Sequence, residues 1–331
     1  MTVVHSHSDL KTRYFIVGGA GFIGSHFTDR LLADPVTTKV TLYDNFSSGR
    51  EWHYEQHRDD SRLSVVRADV GDIERLTAAI AEHDVVIHLA SNPDIARAAT
   101  EPEVDFDQGT KLTNNVVESM RRAGVGRILY ASGSGVYGEL GDTEAHEDYG
   151  PMVPISTYGA SKLAGEMLIS SYCHMFGLTG RSFRFGNVVG PRQTHGVGFD
   201  FVRRLVGDPS HLAILGDGTQ SKSYIHVSDV VDAVLCANRR CIRPYETFNV
   251  ATGDYITVTE IAHLAVECLA IVPPPNLEYA GGDRGWKGDV PIVRLNTDRI
   301  KSLGWKCNLS TREALRQSLL ALIEDVHAKR L

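Results

Sequence analysis

Gly18-Gly19-Ala20-Gly21-Phe22-Ile23-Gly24 follows a short apolar run, Tyr14–Val17, and opens a stretch with helical periodicity, Phe22–Ala33. Three glycines at this spacing have separate tasks between a strand and a helix. Gly18 turns the chain, Gly21 lets the backbone approach a pyrophosphate, and Gly24 lets helix pack closely on strand. The helix start then offers free N–H groups and the positive end of its dipole to phosphate. Twenty residues past Gly24, the next apolar run ends in Asp44. A carboxylate there accepts hydrogen bonds from an adenosine ribose and repels a 2′-phosphate, which favours NAD over NADP.

Working outward, strand-length runs (14–17, 39–43, 63–67, 85–89, 127–131, 179–185) alternate with helix-period stretches (22–33, 72–81, 104–123, 155–176). Such alternation predicts crossover units and an α/β fold, a Rossmann-type doubly wound parallel sheet covered on both faces. Beyond residue 190 the pattern changes to loops and shorter elements, so a smaller C-terminal α/β substrate-binding domain is expected. The expected division is 1–190 for the cofactor domain and 191–331 for the substrate domain. The boundary is soft, because part of 220–250, in particular Tyr224–Asp232, can return to the main sheet. Glu103, Asp105 and Asp107 give the 104–123 helix an acidic start that suits its dipole.

The chain has 331 residues and a net charge of −7, with 42% hydrophobic and 23% charged residues. That balance offers no basic footprint for nucleic acid or anionic membrane. Five scattered cysteines without a C-x-x-C pair point to a reduced, cytoplasmic chain with neither disulfides nor zinc. No apolar run approaches the roughly 18 residues of a membrane span. The first ten residues read as a lead-in rather than a signal peptide. His5, His7, His53 and His57 have no ligand spacing, His195 sits in a loop that can approach substrate, and His226 reads as structural; no metal site is expected.

Tyr158-Gly-Ala-Ser-Lys162 opens a helix, and a spacing of four sets both side chains on one face. An ammonium beside a phenol stabilises the phenolate, so Tyr158 is expected to act as a base well below its usual pKa near 10. Proton removal from an alcohol during hydride transfer requires such a base.

Together with GGAGFIG, the segments YDN (43–45), ADV (68–70), HLAS (88–91), SGSGVYG (132–138), YGASK (158–162) and FGNVVGPRQ (185–193) resemble the extended short-chain dehydrogenase/reductase family, specifically its NAD-dependent nucleotide-sugar epimerases and dehydratases. The resemblance runs from about residue 13 to the final helix. It implies that Asp69 and Val70 meet adenine, that Leu89, Ala90 and Ser91 line the cofactor, and that Asn187 touches a substrate diphosphate. It adds Asn45, Phe46, Ser48 and Gly49 to the cofactor set. It also implies a homodimer joined through helices 104–123 and 155–176.

Departures from the family pattern carry as much information. The family's catalytic Ser or Thr stands four residues before Tyr137, where this chain has Gly133. Ser132 and Ser134 flank it and both are catalytic candidates; Ser134 is expected to share the substrate's O4 proton with Tyr158. Gly109 stands where Asn is frequent, Lys222 replaces a diphosphate-gripping Arg, and Trp286 replaces another, with Arg284 nearby. Related 4,6-dehydratases carry Asp and Glu where this chain has Ser134 and Gly135, so elimination lacks its acids. Epimerisation needs only reversible oxidation at C4. Arg192 can pair with a carboxylate, or it can hold the diphosphate or serve the fold. The expected activity is therefore an NAD-dependent UDP-sugar 4-epimerase acting on UDP-glucose or UDP-glucuronate. A dehydratase, a 4-ketoreductase and a non-catalytic NAD-binding regulator are the alternatives.

Overall fold

A computed structural model describes residues 11–92 and 94–330. The N-terminal lead-in, with His5 and His7, lies outside the described residues. Strands β1 (Thr12–Val17), β2 (Thr37–Asp44), β3 (Leu63–Arg67), β4 (Val85–His88), β5 (Arg127–Gly133) and β6 (Thr179–Phe185) come first. Short strands β7 (Asn187–Val189), β8 (His211–Ile214), β9 (Ser221–Lys222) and β10 (Tyr224–His226) follow, then β11 (Tyr245–Val250), β12 (Ile256–Thr257) and β13 (Asn276–Tyr279). The main sheet has seven parallel strands in the order β11-β6-β5-β4-β1-β2-β3. The order reverses between β1 and β4, and the carboxyl ends of those two strands open the crevice where such sheets bind ligands.

Helices α1 (Phe22–Leu32), α2 (Ile73–Ile80), α3 (Lys111–Ala123), α4 (Thr157–Phe176), α5 (Val197–Gly207), α6 (Val227–Arg240), α7 (Val258–Cys268), α8 (Asp298–Ser302) and α9 (Thr311–His327) complete the fold. The period-2 geometry of β1 sends neighbouring residues to opposite faces. Ile16 packs with Phe27 and Leu31 of α1 and Val230 and Val234 of α6. Phe15 packs on the other face with Leu76 of α2, Val116 and Met120 of α3 and Ile169 of α4. A third core joins α5, α7 and α9 through Val202, Leu264, Leu315 and Leu319. Capping boxes, Thr257 with Glu260 and Ser310 with Glu313, start α7 and α9.

Two details depart from the sequence pattern. Tyr224–His226 pairs with β7 rather than with the large sheet, and it is Tyr245–Val250 that adds the edge strand beside β6. Helix α6 between them packs on the main sheet. The expected 104–123 helix is present, but its winding changes: Phe106–Thr110 forms a π-turn before the regular α3 begins at Lys111.

Candidate active site

The glycine turn sits at the switch point. Gly18 has φ of 79°, and a Cβ there would lie 2.8 Å from the Ala90 nitrogen; one on Gly24 would lie 2.6 Å from the Gly19 oxygen. Neither position tolerates a side chain. Gly21 precedes α1, and no side chain caps that helix, so its first-turn N–H groups remain available to a ligand. A cleft of about 660 Å³ opens here, lined by Gly18, Gly21, Phe22, Ile23 and Gly24 on one side and Leu89, Ala90 and Ser91 on the other.

Asp44 closes β2 at the cleft wall. Its carboxylate accepts from the Ala20 N–H at 3.0 Å and the Phe46 N–H at 2.8 Å. Burial pushes its pKa up, and these two bonds oppose the rise. A carboxylate retains further lone pairs for ribose hydroxyls. Next to it, Asp69 accepts from Asn45 Nδ2 at 2.8 Å and from the Gly71 N–H at 2.7 Å. Asn45, Ser48, Asp69 and Val70 all line the cleft. Phe46 and Gly49 do not. The Phe46 ring lies under the Arg67 guanidinium at 3.8 Å, and Gly49 packs against the Asp44 carboxylate, where a Cβ would sit 3.0 Å from Oδ1. Both shape the turn around Asp44 instead of lining the cleft.

Ser156 caps α4 by accepting from the Gly159 N–H at 3.0 Å, which fixes the helix start and sets Tyr158 in the cleft. Lys162 follows one turn later, its Nζ 5.5 Å from the Tyr158 ring centroid and donating to the Ala131 carbonyl at 2.8 Å. Burial lowers the Lys162 pKa to about 8, while the charges of Asp105 and Glu166 oppose the fall. Burial also pushes the Tyr158 phenol up to about 12, with a hydrogen bond to Ser91 holding it back. The sequence led to a phenol lowered by Lys162; in the protein alone, desolvation raises it instead.

Ser134 opens a 3-10 turn, Ser134–Tyr137, and the turn abuts α4, since a Cβ on Gly159 would lie 2.5 Å from the Gly135 oxygen. Ser134 lines the cleft, and among the described residues its hydroxyl has no protein partner. At Gly133 a Cβ would meet nothing within 4 Å. Ser132 is different: its hydroxyl donates to Glu166 at 2.5 Å, beside the buried Glu166–Arg184 ion pair. Ser132 also lines the cleft, but its hydroxyl is committed to Glu166 on α4.

At the substrate end, Asn187, His195, Lys222, Trp286 and Asp289 line the cleft, and Lys222 is ion-paired with Asp289. Arg192 is not there. Its guanidinium donates to the His53 carbonyl at 2.8 Å, to His26 Nδ1 at 3.1 Å and to the Asp29 carboxylate, tying β7 and its loop to α1. Arg284 is likewise committed outside the cleft, in a two-pronged pair with Glu139 at 2.8 and 3.0 Å. The cations among the cleft-lining described residues are Lys111, Lys162 and Lys222, with no arginine. His53 donates from Nδ1 to the Ala20 carbonyl at 2.7 Å, and His226 caps α6, so both are structural. Asn92, which also lines the cleft, escaped the sequence reading although it directly follows HLAS.

A doubly wound sheet, an uncapped helix behind a glycine turn, an acid closing β2 and a Tyr–Lys pair across the crevice define a dinucleotide-dependent enzyme of the short-chain type. The chain belongs to the NAD dependent epimerase/dehydratase family, whose model matches residues 14–251. It is 32% identical over 321 residues to the UDP-glucose 4-epimerase of Mycolicibacterium smegmatis, covering 93% of this chain and 97% of that one. A solved UDP-galactose 4-epimerase superposes with a TM-score of 0.84 at 34% identity, covering 95% and 99% of the two chains. The Thermus thermophilus UDP-glucose 4-epimerase, solved with NAD, gives 0.83 at 28% identity over 94% and 98%. The cofactor is NAD, and the rigid glycine cradle and Asp44 fit it.

Proposed function

We propose that this enzyme inverts C4 of a UDP-hexose through a transient 4-keto sugar, and that the hexose is neutral rather than a uronate. The observation that carries the reaction is the Tyr158–Lys162 pair in the cleft with no carboxyl group at 134 or 135. Without an acid and a base beside C5 and C6, elimination of water has no catalyst. A regulator without activity has no need of either member of the pair, and both are present.

The uncapped start of α1 and the glycine turn would hold the pyrophosphate of NAD, Asp44 would hold its ribose, and Asp69 and Val70 would meet its adenine. When bound, NAD would supply the hydride-accepting chemistry. Tyr158 removes the O4 proton and later gives it back, Lys162 holds positive charge beside the phenolate, and the unpaired Ser134 hydroxyl steadies the same oxygen. Asn187 and Lys222 meet the diphosphate.

A neutral sugar is favoured because Arg192 and Arg284 are committed elsewhere and Lys222, the cation at the substrate end of the cleft, is taken by the diphosphate. A buried carboxylate with no partner is costly. The five free cysteines suit a reducing, cytoplasmic compartment, and no helix among the described residues is long and apolar enough to cross a membrane.

The test supplies NAD-loaded protein with UDP-glucose and UDP-glucuronate in turn. UDP-glucose is expected to interconvert with UDP-galactose without net NADH, and kcat/KM for the uronate is expected to be about 100-fold lower. Comparable turnover of the uronate refutes the neutral-sugar assignment, a 4-keto-6-deoxy product refutes epimerisation, and no turnover of either points to a regulator.

A further inference from the structure

Asp105 lies in the segment before the π-turn, and it is 1% exposed. An acid placed only to satisfy a helix dipole faces solvent; this one faces inward, onto the helix of the Tyr–Lys pair. Its Oδ2 accepts from the Thr157 hydroxyl at 2.7 Å, and its main-chain carbonyl accepts from the Ser161 hydroxyl at 2.7 Å. Thr157 immediately precedes Tyr158, and Ser161 immediately precedes Lys162. One residue therefore grips the helix at both catalytic positions. Its Oδ1 accepts from Asn92 Nδ2 at 2.9 Å, which ties the same carboxylate to the cleft wall after β4. Those donors are neutral, so they satisfy the oxygens without cancelling the charge.

The π-turn makes this approach close. A Cβ on Gly109 would lie 2.1 Å from the Ser161 Oγ, so only glycine lets the turn and α4 meet. Thr110 also donates to that Oγ at 3.1 Å. The irregular backbone thus has a function as the seat of the Asp105 carbonyl.

We infer that Asp105 is the positioning residue of the Tyr158–Lys162 pair, holding both by Thr157 and Ser161 and placing an uncancelled negative charge behind them. The inference rests on Tyr158 being the proton-transferring group. The groups facing the pair are Asp105 from the π-turn segment, Glu166 on α4, Ser91 after β4, His88 on β4 and Tyr130 on β5. His88 is held neutral, its pKa pushed to about 3 by burial and by Lys162. Tyr130 has its ring centroid 5.3 Å from Lys162 Nζ. Asp105 raises the pKa of both Tyr158 and Lys162, so removing its charge lowers both. In the NAD-loaded enzyme, where the cofactor's positive ring would bring the phenol below its value in the protein alone, the acid limb set by the phenol and the alkaline limb set by the ammonium both move to lower pH.

The test compares Asp105→Asn and Thr157→Val with wild type. Asp105→Asn is expected to lower kcat about 10- to 100-fold with KM within about twofold, and to shift both limbs acidward. In protein without added cofactor, ultraviolet difference titration of each form against its Tyr158→Phe counterpart is expected to show the phenol ionising earlier in Asp105→Asn. Thr157→Val keeps the charge and is expected to lower kcat with the limbs unmoved. A folded Asp105→Asn with wild-type limbs and phenol titration overturns the inference. If Asp105→Asn does not fold, a Thr157→Val variant with wild-type kcat overturns it. An active Tyr158→Phe enzyme removes the Tyr158 reading itself, whereas an inactive one beside unaltered Asp105→Asn kinetics removes only the role of Asp105.

Discussion

Lys162 holds a positive charge where burial opposes it, and the consequence is a pH limit on catalysis. Its pKa falls to about 8, so the ammonium is present below that pH and is lost as pH rises through it. Activity that depends on this charge is expected to decline above about pH 8. Lys162→Arg keeps the charge far beyond that range. Its kcat is expected to fall about 100-fold through altered geometry, while the decline near pH 8 disappears from its profile. A decline retained near pH 8 would assign that limb to another group. Tyr158 and Lys162 were legible in the sequence because a spacing of four is local information. Arg192 was not, since its partner Asp29 lies 163 residues away and only the folded contact reveals it. The commitment of Ser132 was hidden for the same reason: its partner Glu166 belongs to another element.

Helix α4 has two faces with different work. Lys162, Glu166, Ile169 and Cys173 point inward. Glu166 there forms a buried pair with Arg184, whose guanidinium also donates to the Tyr137 hydroxyl at 2.8 Å. The outward face carries Met167 and Met175, 48% and 72% exposed, with Phe176 beside them. Both methionines lie on the exposed side of the helix, with exposed Ser171 between them. We propose that a second copy of the chain covers this side, giving a homodimer. Sedimentation is expected to return twice the chain mass for wild type and a monomer for the Met167→Glu/Met175→Glu double variant; a monomeric wild type would contradict the proposal. Helix and strand periods made most elements legible, including α4. The π-turn was not, because it depends on Ser161 of α4 filling the space beside Gly109.

Over the whole molecule, strand–helix alternation was enough to read a doubly wound sheet, while its switch point emerged only with the strand order. The final strand order was less legible, since the edge strand Tyr245–Val250 joins β6 from about 60 residues away. The net charge of −7 is compatible with the two anionic ligands of the proposed reaction, because on that proposal the grip is local, from helix-start N–H groups for one and a few polar side chains for the other. In the proposed reaction the hydrogen at C4 leaves the sugar and returns to the opposite face of the same carbon. UDP-glucose deuterated at C4, turned over by the NAD-loaded enzyme in ordinary water, measures this directly by proton NMR and mass spectrometry. The account predicts UDP-galactose that retains deuterium at C4 and no loss of label to solvent. Galactose product with hydrogen from water at C4, or label migrating to C6 of a deoxy sugar, would contradict it.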